Sequence, residues 1–315
     1  TVRVPGVLHC CGHALDGRQS YQAIPRILAR RGIACLSFDP VGQGERDDYV
    51  DRDGTRTVAR ACRQHGVIGD PAYLVGRGLA SYRLWDAMRA LDVLAAHPRV
   101  DPARLGATGR SGGGWESLWL AALDPRVRAV ASNLYLTTFL RRIEARGRDA
   151  EPDPEQDPAG LIVSGLDAGD LLLACLADGQ GGLRDVAVAI GATRGDFFPF
   201  DGATAAVDEA RRLYALGDRD GRLLFTADDG GHVQTPRLAG AAVDWLARWL
   251  GAGPVPPPSA DELAEECVAP PAELDAAPGG VVLTGLGDAP LARLTAHRAR
   301  DLALARAQRP PRESC

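Results

Sequence analysis

The chain has 315 residues, 45% hydrophobic and 24% charged, with a formal net charge of −5. That is ample for one large α/β domain, or one domain with an appendage, of ordinary globular composition. The acidic balance argues against nucleic acid or an anionic membrane as partner, and no apolar run approaches the ~20 residues a membrane helix needs.

In chain order, short apolar runs at Val4–Cys10, Ile33–Phe38, Arg104–Thr108, Val127–Ser132, Val186–Ile190 and Arg222–Thr226 read as strands. They are continuous rather than alternating, as strands covered on both faces are. Helical stretches fall between them at Tyr21–Arg31, Leu79–Ala96, Trp115–Leu123, Ala203–Leu216 and Pro236–Leu250. This alternation predicts an α/β fold with a doubly wound, mostly parallel sheet, whose ligand chemistry gathers at the carboxyl ends of the strands. Two insertions interrupt it. Residues 41–77 are rich in charge and glycine, and residues 141–160 in Pro, Asp and Glu. Each reads as a solvated loop or as a cap over the site.

The expected catalytic domain covers 1–252. A stiff Pro254-Val255-Pro256-Pro257-Pro258 linker opens the 253–315 extension, which holds a strand-like Gly280–Thr284 and a helical Leu291–Ala307. The extension has too little core to fold alone and is expected to pack back on the main domain. Thr1 is not an initiator Met, and Val2 to Cys10 already reads as core, so the sequence reads as starting inside a longer chain, with room for a signal peptide upstream. The seven cysteines show no metal-like spacing, and their odd number suits buried thiols in a reducing, cytoplasmic compartment.

Chemistry is concentrated at Gly109-Arg110-Ser111-Gly112-Gly113, a G-x-S-x-G pentapeptide between a strand and a helix. A serine on so tight a turn needs small neighbours, and its hydroxyl projects from the sheet top at the positive end of a helix. Such a hydroxyl becomes a nucleophile only with a base and an orienting carboxylate. Two histidines lie downstream, His232 and His297. His232 follows the last core strand and is the expected base, whereas His297 sits in a basic helical run. Asp196, after Val186–Ile190, is the expected acid; Asp201 reads as a helix N-cap, and Asp228 and Asp229 as shapers of the histidine loop. The backbone N–H groups of Gly112 and His13 are the candidate oxyanion donors. Gly12, His65, Tyr82, Trp85 and Trp115 are candidate pocket residues, although helical Trp and Tyr more often serve a core. A phosphate-binding P-loop is excluded because the chain contains no lysine, and the glycine spacing fits a dinucleotide site poorly.

These residues resemble the α/β-hydrolase superfamily, in particular its bacterial acetyl xylan esterase-like or dienelactone hydrolase-like branch. The likeness runs through Cys11-Gly12-His13, the Asp39-Pro40-Val41-Gly42-Gln43-Gly44-Glu45-Arg46 string, His65, Gly69, Tyr82–Asp86 and Arg89–Asp92. It continues through Gly109–Gly114, Glu155-Gln156, Asp196–Pro199 and His232. The resemblance implies a serine carboxylesterase acting on short acyl esters, acetylated carbohydrate among them, with no metal or cofactor required and a small-molecule ester as partner. It also implies Ser111, Asp196 and His232 as a triad. The chain departs from the pattern in two places. The usual first two strands are absent ahead of Thr1, and Gly230-Gly231 and Val233 flank the histidine where an acidic residue and a glycine are usual. A peptidase of the same fold, or a hydrolase-fold binding protein with a disabled base, are the alternative readings.

Overall fold

The computed structural model describes residues 2–308 apart from 52, 54, 146–152, 254–255, 265–268 and 288. Part of the second insertion, the start of the Pro-rich linker, and Cys267 and Cys315 therefore lie outside the described residues.

Six strands form one sheet: β1 (Val4–Cys10), β2 (Ala34–Ser37), β3 (Val100–Arg110), β4 (Val127–Asn133), β5 (Ala187–Thr193) and β6 (Leu223–Asp228). Their spatial order is β2-β1-β3-β4-β5-β6, and every neighbouring pair runs parallel. The eight helices interleaved with them are α1 (Ala23–Arg30), α2 (Cys62–Leu74), α3 (Leu79–Ala96), α4 (Gly112–Leu123), α5 (Phe139–Ala145), α6 (Asp170–Leu176), α7 (Phe200–Leu216) and α8 (Pro236–Trp249). Successive strand residues serve opposite faces, which is why the strands read as unbroken apolar runs. Leu8, Ala107, Val130 and Val188 pack with α3, α4, α6 and α7. Val7, Ala129, Ala131 and Ala189 pack with α1 and α8. Chain order reverses at β1, so the crevice between the ends of β1 and β3 is the natural place for chemistry. There Cys10 pairs with Gly109, and Gly109 with Ser132.

The stretch 41–77 is not all loop, since α2 occupies Cys62–Leu74 within it. The Asp39–Arg46 string is a brace. Asp39 accepts the amides of Arg18 (2.7 Å) and Glu45 (3.0 Å) and an ion pair from Arg18. Gln43 Oε1 accepts the Ala14 amide at 2.6 Å, which fixes the loop after β1.

Beyond α8 the chain makes three short turns, α9 (Ala260–Ala264), α10 (Pro271–Leu274) and α11 (Val282–Gly285), then α12 (Leu291–Ala307). The strand-like Gly280–Thr284 is therefore helical over Val282–Gly285. Gly279 and Gly280 turn the backbone through positive φ (72° and 67°), and the Val282 amide goes to the Glu45 carbonyl at 2.8 Å rather than to a strand. The Glu45 carboxylate accepts the amides of Ala276 and Ala277 (2.9 and 2.7 Å), and Leu291 packs among Val41, Ile68 and Leu79.

Candidate active site

Ser111 sits between β3 and α4 with φ 57° and ψ −127°, a conformation that L-residues other than glycine rarely adopt. The turn holds because its amide donates to the Asn133 carbonyl (2.9 Å) and its carbonyl accepts the Trp115 amide (3.0 Å). The flanking glycines are steric requirements. A Cβ on Gly109 or Gly113 would strike the Cys10 carbonyl, where β1 ends against the turn. Gly12 adjoins the serine, since a Cβ there would lie 3.2 Å from that of Ser111. The hydroxyl-bearing residue is itself buried, at the floor of an open cleft of about 800 Å³ that His13, Tyr21, Arg110, Phe197 and His232 also line.

His232 follows β6 and Asp196 follows β5. The His232 Nδ1 lies 2.9 and 3.0 Å from the two Asp196 oxygens. Asp196 is buried beneath the ring, and its Oδ1 also accepts the Phe198 amide at 3.0 Å. Phe197 lies 4.3 Å from the imidazole, centroid to centroid. The unusual glycines have a reason here. Gly230 has φ 131°, open only to glycine, and its carbonyl accepts the Gly195 amide at 2.8 Å, while Gly231 accepts the Thr193 hydroxyl at 2.6 Å. These two bonds zip the aspartate loop to the histidine loop. Asp228 accepts the Thr235 hydroxyl (2.6 Å), and Asp229 pairs with Arg194 at the surface. Asp201 lies inside the first turn of α7 and pairs with Arg141 at 3.1 Å, so it is not the N-cap, a position that Pro199 holds.

Opposite His232, the His13 imidazole meets Asp153 (2.6 Å), Glu155 (3.2 Å) and His65 (3.3 Å). Burial disfavours charge on His13, but Asp153 and Cys62 outweigh it and raise its pKa to about 9. Burial likewise pushes Asp153 upward, yet bonds from His13 and His65 hold it far below the usual carboxylate range. Beneath them, fully buried Arg83 bridges Glu116 (2.6 Å) and Glu155 and donates to the Cys11 carbonyl at 3.3 Å. Arg83 falls in the Tyr82–Asp86 segment that carries the family resemblance, whereas Glu116 and Asp153 are not singled out by the sequence.

Several expected pocket residues lie elsewhere. Trp115 is fully buried in the core under α4, on the side away from the cleft. Trp85 is exposed and stacks with Arg89, and with Tyr82 it borders a separate hollow against Leu291. His65 is buried behind His13 instead of lining the cleft. Helix spacing accounts for the aromatics: α3 and α4 turn Tyr82, Trp85 and Trp115 to faces that the serine does not share.

A parallel sheet of this order, with a serine on the strained turn between β3 and α4, has the α/β-hydrolase fold. Residues 2–152, just under half of the chain, match the family model described as acetyl xylan esterase (AXE1). Among curated proteins none matches the sequence. Solved structures with the same fold include methylesterase BT1017, 20% identical over 79% of this chain and 49% of that one, with a TM-score of 0.59. The chain thus spans about half the length of that enzyme. A glucuronoyl esterase from Solibacter usitatus is 12% identical over 80% and 74% of the two chains (TM-score 0.55). Another from Caldicellulosiruptor kristjansonii is 18% identical over 85% and 73% (TM-score 0.53).

Proposed function

We propose that this protein is a serine carboxylesterase that removes short acyl groups from carbohydrate esters. One observation carries the reading: Ser111, on its strained turn, shares a cleft with a histidine whose Nδ1 is locked on a buried aspartate. In this reading Ser111 Oγ attacks the ester carbonyl while His232 Nε2 takes its proton. Asp196 accepts the Nδ1–H, fixes the tautomer and stabilises the imidazolium. The amides of His13 and Gly112 hold the oxyanion, each good donor supplying about 3–4 kcal/mol of transition-state stabilisation. His232 then protonates the departing alcohol, and water clears the acyl-enzyme by the same steps in reverse. The rings of Tyr21 and Phe197 at the cleft walls suit the apolar faces of a sugar. Carbohydrate as substrate is supported by the family match and by the methyl- and glucuronoyl-esterase neighbours.

The test is hydrolysis of p-nitrophenyl esters from acetate to octanoate, and of acetylated xylo-oligosaccharides, by wild type and Ser111→Ala. Acetate should be the best acyl group, and the variant should lose on the order of 10⁶ in kcat, leaving only background. Equal rates for the two proteins would sink the proposal, and a preference for peptide anilides would move the chain to the peptidases of this fold.

A further inference from the structure

The group behind His13 holds more ligand atoms than the ester chemistry uses. His13, His65, Asp153 and Glu155 each offer one ligand atom, and these atoms all lie within 4.8 Å of one another. His13 Nε2 stands 2.6 Å from Asp153 Oδ2, 3.2 Å from Glu155 Oε1 and 3.3 Å from His65 Nδ1. His65 Nδ1 stands 3.1 Å from Asp153 Oδ2 and 3.5 Å from Glu155 Oε2. Metal–ligand bonds of about 2.0–2.2 Å give a tetrahedron with edges of roughly 3.4 Å, close to most of these separations.

Hydrogen positions sharpen the case. His65 Nε2 lies 2.9 Å from the Val41 carbonyl, which can only accept, so that nitrogen carries the hydrogen. In the neutral ring Nδ1 is then a bare lone pair, and it faces two carboxylates and a second imidazole. A proton on His13 would satisfy its short contact to Asp153 and leave the His65 lone pair aimed at oxygen. A cation at the centre satisfies all four groups together. The supports are those that metal ligands need. The Val41 carbonyl orients His65, the Glu155 amide occupies Asp153 Oδ1 at 3.0 Å and leaves Oδ2 for the centre, and Arg83 backs Glu155. His65, Asp153 and Glu155 are buried, and His13 alone reaches the cleft, so an ion would enter past it.

We propose that His13, His65, Asp153 and Glu155 bind one divalent transition-metal ion, zinc by preference, immediately behind the oxyanion loop. Two imidazoles with two carboxylates suit zinc, whereas calcium and magnesium favour all-oxygen cages. The protein fills all four positions, so the ion positions the loop and does not touch substrate. It ties the loop after β1 to the 153–156 segment, and Glu155 in turn abuts Gly112, where an added Cβ would strike its carboxylate. The site stands on the cluster alone and survives or fails independently of the esterase reading.

Metal analysis of the full chain purified from zinc-supplemented medium should find one zinc per chain. Removal by a chelator should lower Tm, and refilling with cobalt should give the intense visible bands of a tetrahedral site. His65→Gln and Asp153→Asn should each weaken metal binding by more than ~100-fold with the circular dichroism spectrum unchanged. A His97→Ala/His297→Ala variant, which removes two exposed histidines outside the cluster, should keep the metal. Wild-type protein that takes up neither zinc nor cobalt in stoichiometric titration would overturn the proposal without reference to any variant. So would full metal content in both cluster variants, or its loss from the surface-histidine variant.

Discussion

The two walls of the cleft are built from the same side chains in different proportions and at different depths. On one wall a single imidazole, His232, meets a single carboxylate, Asp196, and the outer edge of the ring is open to the cleft. On the other, two imidazoles and two carboxylates converge, three of the four out of reach of water. One donor facing one acceptor leaves a nitrogen free to accept and return a proton at a substrate. Four converging groups suit the fixed charge of the proposed ion instead, and Arg83 beneath them adds to an arrangement suited to holding backbone still. In the two proposals the same residue types thus serve a moving proton on one side and a rigid support on the other.

The comparison can be broken at either wall. Asp196→Asn keeps the shape of the proton-handling wall but presents the wrong tautomer to Ser111. It should lower kcat by on the order of 10⁴ with little change in Tm, and a loss below tenfold would mean that another acid serves His232. Arg83→Met removes the guanidinium that bridges the buried carboxylates of Glu116 and Glu155. It should destabilise by about 3–5 kcal/mol in urea denaturation, and a change under 1 kcal/mol would remove Arg83 from the support.

Acid should loosen the docked extension before the walls themselves. Burial would raise the Glu45 pKa, but the amides of Ala277 and Ala276 and the Arg18 guanidinium outweigh it, and the pKa is lowered. A lowered folded-state pKa contributes stability that is present above the ordinary glutamate value and lost as pH falls through the folded one. Amide exchange at Ala276 and Ala277 should therefore speed up below the usual carboxylate range in wild type, and already at neutral pH in Glu45→Gln. Equal protection across that window would remove Glu45 as the anchor. The smallest effect belongs to Asp229→Asn, which breaks only an exposed pair with Arg194. Stability and kcat should shift by less than ~0.5 kcal/mol, and a larger effect would give Asp229 a part in holding His232.

Much of this was legible in the sequence because it rests on local rules. Unbroken apolar runs marked each strand of the sheet, and the pentapeptide marked the turn at Ser111. The loops after β5 and β6 could be located because a parallel sheet sends every strand's carboxyl end to one edge. Helix α2 was not legible, since Gly66, Gly69 and Pro71 inside it are poor helix formers; tertiary contact overrides them, with Gly69 packed against Pro154. Gly280–Thr284 misled in the opposite sense, because its β-branched residues read as a strand until Glu45 captured the segment. Of the second wall, His13, His65 and Glu155 were legible one by one, but Asp153 and their convergence were not. His65 is 52 residues from His13 and 88 from Asp153, and nothing local signals that they meet.

The crowding around Ser111 has a consequence for how such a cleft can diversify. With the Cys10 backbone pressed against Gly109 and Gly113, the turn cannot accept even a methyl group at these two positions, and one at Gly112 would have to displace the Glu155 carboxylate. New substrate preferences therefore have to be written on the rim, at positions such as Phe197, Val233 and Gln234 that border the cleft. A library randomised there would explore specificity, whereas one aimed at the pentapeptide would mostly sample proteins that no longer fold.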